Sequence, residues 1–391
     1  MKSALRYPVL VAAMATALSS TAFAEPGVSE NTIRLGTFGP LTGPVSLYGY
    51  PIINGAVAVY NEINEKGGIH GRKIEMVYED DSCDAAKTRA AVKKLVYNSD
   101  VFAIHGGTCS SAVNSARDEI IASETPYMVM ATVLDSITSP VAKNMFTTTQ
   151  TASLDGVTMV TFVKSIPDIK KVVVVKNTDD WADAHLSTIY KGLEEAGIEV
   201  AADIVLERNA SDATTQVLQS LEANAAAVIL VTYPNETAVF LREAKKYGLK
   251  GPFVGASSQM DMLAVAERAG GMDAISELYV SSYLLEPVDG EKMKEFSALY
   301  AKHFPNDKLQ TLSFYGMSGA YAVADALERA GPDLTREGFI KALESTSGGF
   351  AGPAYCQITF TPDSHQGCTE GHVWAVRDGK VVAIGETWPQ Q

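Results

Sequence analysis

Glycines, hydroxyls and a cysteine are grouped in one short segment, Gly106–Ser111. The segment follows a predicted strand, Val101–His105, and opens a predicted helix, Ser111–Ala122. Free backbone N–H groups at a helix start favour an anion, and the hydroxyls of Ser110 and Ser111 add donors. The pattern therefore suits a ligand group the size of a carboxylate. The alternative is that one of the two serines only caps the helix.

Three aromatic residues, Tyr48, Trp181 and Tyr233, fall in loops that follow predicted strands. Parallel sheets bind ligands outside the carboxyl ends of their strands, so these loops are where a site is expected. An aromatic side chain there can wall a pocket and cover an apolar ligand group. Core packing is the alternative for each residue alone, whereas three aromatics in three such loops favour a pocket.

The sequence motifs of the common enzyme classes are absent. The chain has no G-x-S-x-G elbow, no Walker loop, no G-x-G-x-x-G turn and no H-E-x-x-H pair. Asp80 and Asp81 end a predicted strand and could bind a metal or act as a base, and a solvated strand end or helix cap is the competing interpretation. We therefore expect a binding protein with no cofactor and no metal. A secreted hydrolase whose Ser, His and Asp come from distant positions is the alternative.

The first 24 residues have the three parts of an export signal. Lys2 and Arg6 precede an apolar run, Pro8–Leu18, and the small-x-small pattern Ala22–Ala24 follows. This order predicts a signal peptide over 1–24, cleavage after Ala24 and a periplasmic location. A buried N-terminal helix is the alternative. No later segment has the roughly 18 apolar residues that cross a bilayer.

Composition describes a folded, acidic chain. The 391 residues are 46 % apolar and 20 % charged, and this length predicts two domains. Loss of Lys2 and Arg6 removes two positive charges and takes the formal net charge from −14 to −16. This balance disfavours nucleic acid and anionic membrane surfaces as partners.

Four cysteines remain after export, and an oxidising compartment permits disulfides. Four cysteines allow three connectivities, of which sequential pairing is the simplest. A zinc site is the competing interpretation, although no C-x-x-C occurs and no histidine has ligand spacing. The cysteines are Cys83, Cys109, Cys356 and Cys368.

Short apolar strands alternate with helices along most of the chain, which predicts an α/β fold with parallel sheets covered on both faces. A break in this alternation near Thr147–Leu154 predicts two similar lobes. Three helices and then three strands follow in the C-terminal part, where Asp378-Gly379 is typical of a hairpin turn. The predicted strands there are Tyr355–Phe360, His372–Arg377 and Lys380–Ile384.

Several segments together resemble the periplasmic substrate-binding proteins of branched-chain amino acid ABC importers, the Leu/Ile/Val type. The match extends through most of the mature chain, and the combination of segments is specific where any one alone is not. The matching segments are Gly43-Pro44, Tyr48-Gly49, Asn61–Lys73, Glu79–Asp84, Cys109–Ser111 and Ala244–Leu249.

The resemblance implies a two-lobed type I periplasmic-binding-protein fold. Each lobe is a mainly parallel sheet flanked by helices, and three crossovers join the lobes. We expect lobe 1 to comprise 25–148 plus 281–350, and lobe 2 to comprise 149–280 plus 351–391. The resemblance also implies the disulfides Cys83–Cys109, beside the binding serine, and Cys356–Cys368.

Binding residues are carried over from the family position by position. Ser110, beside Ser111, matches the serine that holds the ligand carboxylate, and Ala131 matches a position that binds through its backbone. The other expected wall residues are Tyr48, Trp181, Tyr233, Phe314 and Tyr315.

Two positions depart from the family pattern. Ser257 stands where an acidic residue pairs with the ligand α-ammonium, and Val133, next to Thr132, stands where a threonine is expected. A buried ammonium without a counter-charge is costly. The hypothesis is a carboxylate ligand that lacks an α-amino group, such as an aromatic or 2-oxo acid. Asp135 or Asp261 could instead supply the charge and restore amino acid binding.

The resemblance predicts a monomeric periplasmic receptor that closes its lobes on a small carboxylate and delivers it to the permease of an ABC importer. A ligand-sensing module of the same fold is the alternative.

Overall fold

The computed structural model describes residues 25–43, 46–348, 352–353 and 356–388. The predicted signal peptide, 1–24, lies outside the described residues. No helix among the described residues combines the length and hydropathy that a membrane crossing requires.

The first sheet has five strands in the order β2-β1-β3-β4-β5, and every neighbouring pair is parallel. Its central strands β3 and β4 are buried at every position, as expected for a sheet covered on both faces. The strands are β1 Thr32–Gly39, β2 Lys73–Asp80, β3 Ala103–Gly106, β4 Tyr127–Val129 and β5 Met145–Thr147.

The second sheet has seven strands in the order β12-β11-β10-β9-β8-β6-β7. Strands β6 to β10 are parallel, and β11 and β12 add an antiparallel hairpin at one edge. Asp378 and Gly379 turn that hairpin with φ of 51° and 71°, so the predicted turn is confirmed. The strands are β6 Lys171–Lys176, β7 Glu199–Val205, β8 Ala227–Val231, β9 Phe253–Gly255, β10 Leu278–Ser282, β11 Gly371–Arg377 and β12 Lys380–Trp388.

Eleven α-helices of the described part cover the two sheets. Helices α1 and α10 cross so closely that a Cβ at Gly55 would collide with the Ser313 carbonyl, and one at Gly316 with the Ile52 carbonyl. The helices are α1 Ser46–Glu65, α2 Ala85–Asn98, α3 Ser110–Ser123, α4 Ala152–Ser165, α5 Asp180–Glu195, α6 Thr214–Ala223, α7 Pro234–Tyr247, α8 Met262–Ala269, α9 Lys294–His303, α10 Ser313–Ala330 and α11 Arg336–Glu344.

The chain passes between the two sheets three times, after β5, after β10 and after α11. The two-lobed α/β fold predicted from the sequence is therefore confirmed. The residue bounds given above for the two lobes stay a prediction.

The predicted strand Tyr355–Phe360 is wrong over its described part. Residues 356–360 contribute one isolated bridge, Ser347 to Thr359, because this segment follows the Cys356–Cys368 link rather than a sheet edge. Helix α4 was not predicted, since its residues are buried around most of its circumference and show little amphipathic periodicity.

Both disulfides are present as the resemblance implied. Cys83 pairs with Cys109 at a Cα–Cα distance of 5.6 Å, and Cys356 pairs with Cys368 at 5.7 Å. All four cysteines are used in these bonds, which sets aside the zinc interpretation.

Candidate functional site

A cavity of about 520 Å³ lies at the carboxyl ends of strands from both sheets. The volume is typical of a small-molecule site, and the place is the one expected for a parallel sheet. Segments that follow β1, β2, β3 and β4 form one wall, and segments that follow β6, β7, β8 and β9 form the other. The lining residues are Tyr48, Cys83, Thr108, Cys109, Ser110, Ser111, Ala131, Val133, Asp179, Asp180, Trp181, Arg208, Tyr233, Pro234, Ser257, Ser258, Leu312 and Tyr315.

The first wall presents the start of helix α3. Cys109 occupies the N-cap and its side chain makes no capping hydrogen bond. Ser110 and Ser111 therefore stand in the first turn rather than serving as the cap. The Cys83–Cys109 disulfide ties this turn to the loop after β2, so the free N–H groups and the two hydroxyls are held at the cavity.

Gly107 allows the loop after β3 to pass close to Tyr127 of β4. Its φ is 78°, and a Cβ there would meet the hydroxyl of Tyr127. A side chain at this position would be strained and would push the start of α3 away from β4.

Trp181 and Tyr233 place aromatic rings on the second wall, and Tyr48 places one on the first. The rings of Trp181 and Tyr233 lie 4.6 Å apart, and Trp181 also packs on the ring of His185 at 4.4 Å. Burial raises the pKa of Tyr48 to about 12 and raises the pKa of Tyr233 as well, so both phenols keep their protons. These rings offer a neutral, largely apolar surface to a ligand.

Arg208 is a cavity residue that the sequence analysis missed. Its guanidinium carbon lies 3.6 Å from the centre of the Tyr233 ring. Its Nη1 lies 3.2 Å from Asp179 Oδ2, and its Nε lies 3.8 Å from Glu236 Oε1. Arg208 is the third residue after the end of β7 at Val205, so its position in a segment after a strand was an available signal.

A buried polar cluster lies behind Ser257. The backbone N–H and the hydroxyl of Ser257 both donate to Asp155 Oδ2, at 2.8 Å and 2.6 Å. His185 Nε2 lies 3.0 Å from the same oxygen. Burial alone would raise the pKa of Asp155, but the hydrogen bond and charge of His185, with Ser257, outweigh burial and hold that pKa below its ordinary value.

Most of the residues carried over from the family line this one cavity, and two do not. Thr132 is 2 % exposed and lies between Ala131 and Val133, which both reach the cavity. Phe314 is fully buried in α10, next to Tyr315. The residues brought together are Tyr48, Ser110, Ser111, Ala131, Val133, Trp181, Tyr233, Ser257 and Tyr315.

The acidic residues considered from the sequence have local roles. Asp135 accepts from the Ser153 N–H at 3.2 Å, and Asp261 caps helix α8. Asp80 accepts from the Leu41 N–H at 2.9 Å, and Asp81 accepts from the Cys83 N–H at 2.9 Å. None of the four lines the cavity.

Two α/β bodies with a cavity between their strand ends define a solute-binding receptor. A family model described as periplasmic binding protein matches residues 32–380, and the chain belongs to this family. The family and the relatives below are solute-binding proteins rather than enzymes.

Known proteins resemble the chain in sequence and in structure. The leucine-, isoleucine-, valine-, threonine- and alanine-binding protein of Pseudomonas aeruginosa is 31 % identical over 255 residues, which cover 65 % of this chain and 67 % of that protein. A branched-chain amino acid ABC transporter structure from Thermus thermophilus with bound valine has a TM-score of 0.84 at 18 % identity, over 93 % of this chain and 98 % of that one. A fatty acid ABC transporter substrate-binding protein from Thermomonospora curvata has a TM-score of 0.80 at 24 % identity, over 94 % and 95 %.

Proposed function

We propose that this chain is the substrate-binding receptor of an ABC importer and that it binds a small carboxylate in the cavity between its two sheets. The observation that carries the proposal is the uncapped first turn of α3, which aims N–H groups and the hydroxyls of Ser110 and Ser111 at a cavity walled by aromatic rings. Donors of this kind suit a carboxylate, and the rings suit an apolar body attached to it.

The ligand lacks an α-ammonium group. Asp179 and Asp180 are the carboxylates on the lining; Asp179 is paired with Arg208, and Asp180 is exposed at the start of α5. By the sequence resemblance, Ser257 stands at the position from which the family supplies a counter-charge. Burying an ammonium there would cost several kcal/mol without a partner.

The ligands named for similar proteins do not decide between an amino acid and an acid that lacks the amine. The Pseudomonas relative is named for amino acids, whereas the solved structures of the same fold include one named for a fatty acid. Aromatic acids and 2-oxo acids are two of the classes that share the carboxylate and lack the amine.

Closure of the two lobes on the ligand provides the signal to the permease. Residues of both walls contact one cavity, so a ligand that touches both favours the closed arrangement of the lobes. We propose that the receptor acts as a monomer in the periplasm after cleavage behind Ala24, and that the permease subunits recognise the closed form.

A thermal-shift screen tests the proposed ligand class. The protein is freed of bound ligand by unfolding and refolding, then heated with amino acids, 2-oxo acids, aromatic acids and the methyl ester of each. A ligand of the folded state raises the melting temperature by mass action. We expect shifts from acids without an amino group and none from their esters. Shifts from leucine or valine alone would contradict the proposal.

A further inference from the structure

Ser257 faces the cavity in a fixed hydrogen-bonding role. The residue is 4 % exposed and lines the cavity, while its hydroxyl donates to Asp155 Oδ2 at 2.6 Å. A serine hydroxyl carries one proton and two lone pairs. Because the proton is committed to Asp155, the oxygen of Ser257 can only accept a hydrogen bond from a ligand.

Asp155 holds Ser257 in this role through three donors. The N–H of Ser257 donates to the same Oδ2 at 2.8 Å, and His185 Nε2 lies 3.0 Å away. The Asp155 side chain is 1 % exposed. A carboxylate that receives three donors in a buried place cannot turn to release the hydroxyl of Ser257 without leaving them unpaired.

The charge of Asp155 is already matched. His185 Nδ1 lies 2.7 Å from the carbonyl oxygen of Trp181, and its Nε2 faces the carboxylate. Both partners are acceptors, so both ring nitrogens donate and the ring is the imidazolium. Asp155 and His185 therefore form a neutral buried pair, which leaves no net charge behind Ser257 for a ligand ammonium.

Tyr315 adds no charge at this place either. Its ring is buried and lines the cavity beside Ser257. Burial raises the pKa of Tyr315 well above its ordinary value, more than the hydrogen bond with Ser257 lowers it, so the phenol keeps its proton.

We propose that the ligand is a 2-hydroxy carboxylate whose 2-hydroxyl donates to the oxygen of Ser257. This inference rests on the proposed function, which places the carboxylate at Ser110, and Ser257 lines the same cavity from the segment after β9. A 2-oxo acid sets a second acceptor against the oxygen of Ser257, and an acid with a plain CH₂ offers that oxygen no further donor. An amino acid supplies a donor but brings a positive charge to Ser257, where the Asp155–His185 pair has no net charge to offset it.

A set of four acids with one carbon skeleton tests the proposal. Calorimetric titration compares 3-phenyllactate, phenylpyruvate, 3-phenylpropanoate and phenylalanine, which differ only in the group at carbon 2. The same comparison uses the 4-methylpentanoate skeleton. We expect the 2-hydroxy acid to bind about tenfold or more tightly than the other three, as expected for one matched hydrogen bond.

Two variants test whether Ser257 is responsible for the preference for the 2-hydroxy acid. Ser257→Ala is expected to reduce the ratio between the 2-hydroxy acid and the unsubstituted acid to about one. Ser220→Ala is the matched control and is expected to keep the ratio, because the buried Ser220 hydroxyl donates to the Gln216 carbonyl at 2.8 Å and the residue does not line the cavity. A melting curve of each variant confirms that it folds.

The outcomes separate this inference from the proposed function. Equal binding of the four acids, tighter binding of the 2-oxo acid, or a preference that survives Ser257→Ala overturns the 2-hydroxy assignment and leaves the carboxylate receptor standing. Failure of every acid on both skeletons contradicts the carboxylate site itself, and this inference falls with it.

Discussion

Removal of the Asp155 carboxylate is expected to be among the most destabilising single changes near the cavity. Its Oδ2 receives three donors, from Ser257 N, Ser257 Oγ and His185 Nε2. In Asp155→Ala, all three lose their partner in a place that water does not reach. The buried imidazolium of His185 then has no counter-charge.

The expected cost follows from these contacts. Breaking a buried ion pair from one side costs roughly 3–5 kcal/mol of the free energy of unfolding, because an uncompensated charge stays buried. Asp155→Asn keeps the shape and one acceptor, so it isolates the loss of charge. Combining Asp155→Asn with His185→Gln removes both charges, and we expect the pair to cost about 1–3 kcal/mol less than the sum of the single changes.

The pH adds a second test of the same pair. The folded-state pKa of Asp155 is below its ordinary value. Its stabilisation is therefore complete above the unfolded-state pKa near 4 and is lost as the pH falls through the lower folded-state pKa, with a limit of about 1.4 kcal/mol for each pH unit between the two values. The difference between wild type and Asp155→Asn should thus be full at pH 7 and shrink below about pH 4.

Urea unfolding followed by circular dichroism measures each difference. The change in midpoint at constant slope gives the change in the free energy of unfolding. A cost of Asp155→Ala below about 1 kcal/mol, or strict additivity of Asp155→Asn and His185→Gln, would refute the buried ion pair.

Three further changes have defined outcomes. Replacing Cys83 and Cys109 by serine should lower the free energy of unfolding by roughly 3–4 kcal/mol in urea titrations. It should also weaken ligand binding, because the disulfide no longer holds the first turn of α3 in place. An unchanged affinity would show that the disulfide does not support the binding site. His105 is buried, and desolvation lowers its pKa to about 3. The free energy of unfolding should therefore fall by up to about 1.4 kcal/mol per pH unit as the pH falls from 6.5 toward 3. His105→Gln should flatten this slope in acid unfolding curves, and an equal slope in the variant would contradict a buried neutral His105. Trp181→Phe should abolish the change in tryptophan fluorescence on ligand addition while keeping most of the affinity, and a full signal in the variant would place the ligand away from Trp181.

The sequence predicted the fold because its alternation of apolar strands and helices is regular. The same regularity allowed the segments at the strand ends to be located correctly. The Gly106–Ser111 segment and the three aromatic residues do meet at one cavity, as expected for such segments. Helix α4 was missed because a helix that is apolar on most faces has no periodic signal.

Adjacent residues explain the two site predictions that do not line the cavity. Phe314 and Tyr315 are neighbours on helix α10, and neighbours on a helix point about 100° apart, so only one can face the cavity. Thr132 lies between Ala131 and Val133 just beyond β4, and it is 2 % exposed while both of its neighbours reach the cavity. Counting along the sequence identified the right segments, but it could not show which of the adjacent side chains face the cavity.

The cluster behind Ser257 was beyond the reach of sequence reasoning. Asp155 is separated from His185 by 30 positions and from Ser257 by 102 positions. A single acidic residue in an apolar helix carries no local mark of these partners. Only the packing of α4 against α5 and β9 brings the three side chains together.

The central claim is that the first turn of α3 binds the carboxylate of the ligand. Calorimetric titration of wild type and Ser110→Ala with 3-phenyllactate and with its methyl ester tests it most directly. We predict binding of the acid by wild type, no measurable binding of the ester, and an affinity for the acid at least tenfold lower in Ser110→Ala, as expected for loss of a hydrogen bond to a charged group. Equal affinity for the acid and the ester, or an unchanged affinity in Ser110→Ala, would contradict a carboxylate site at Ser110.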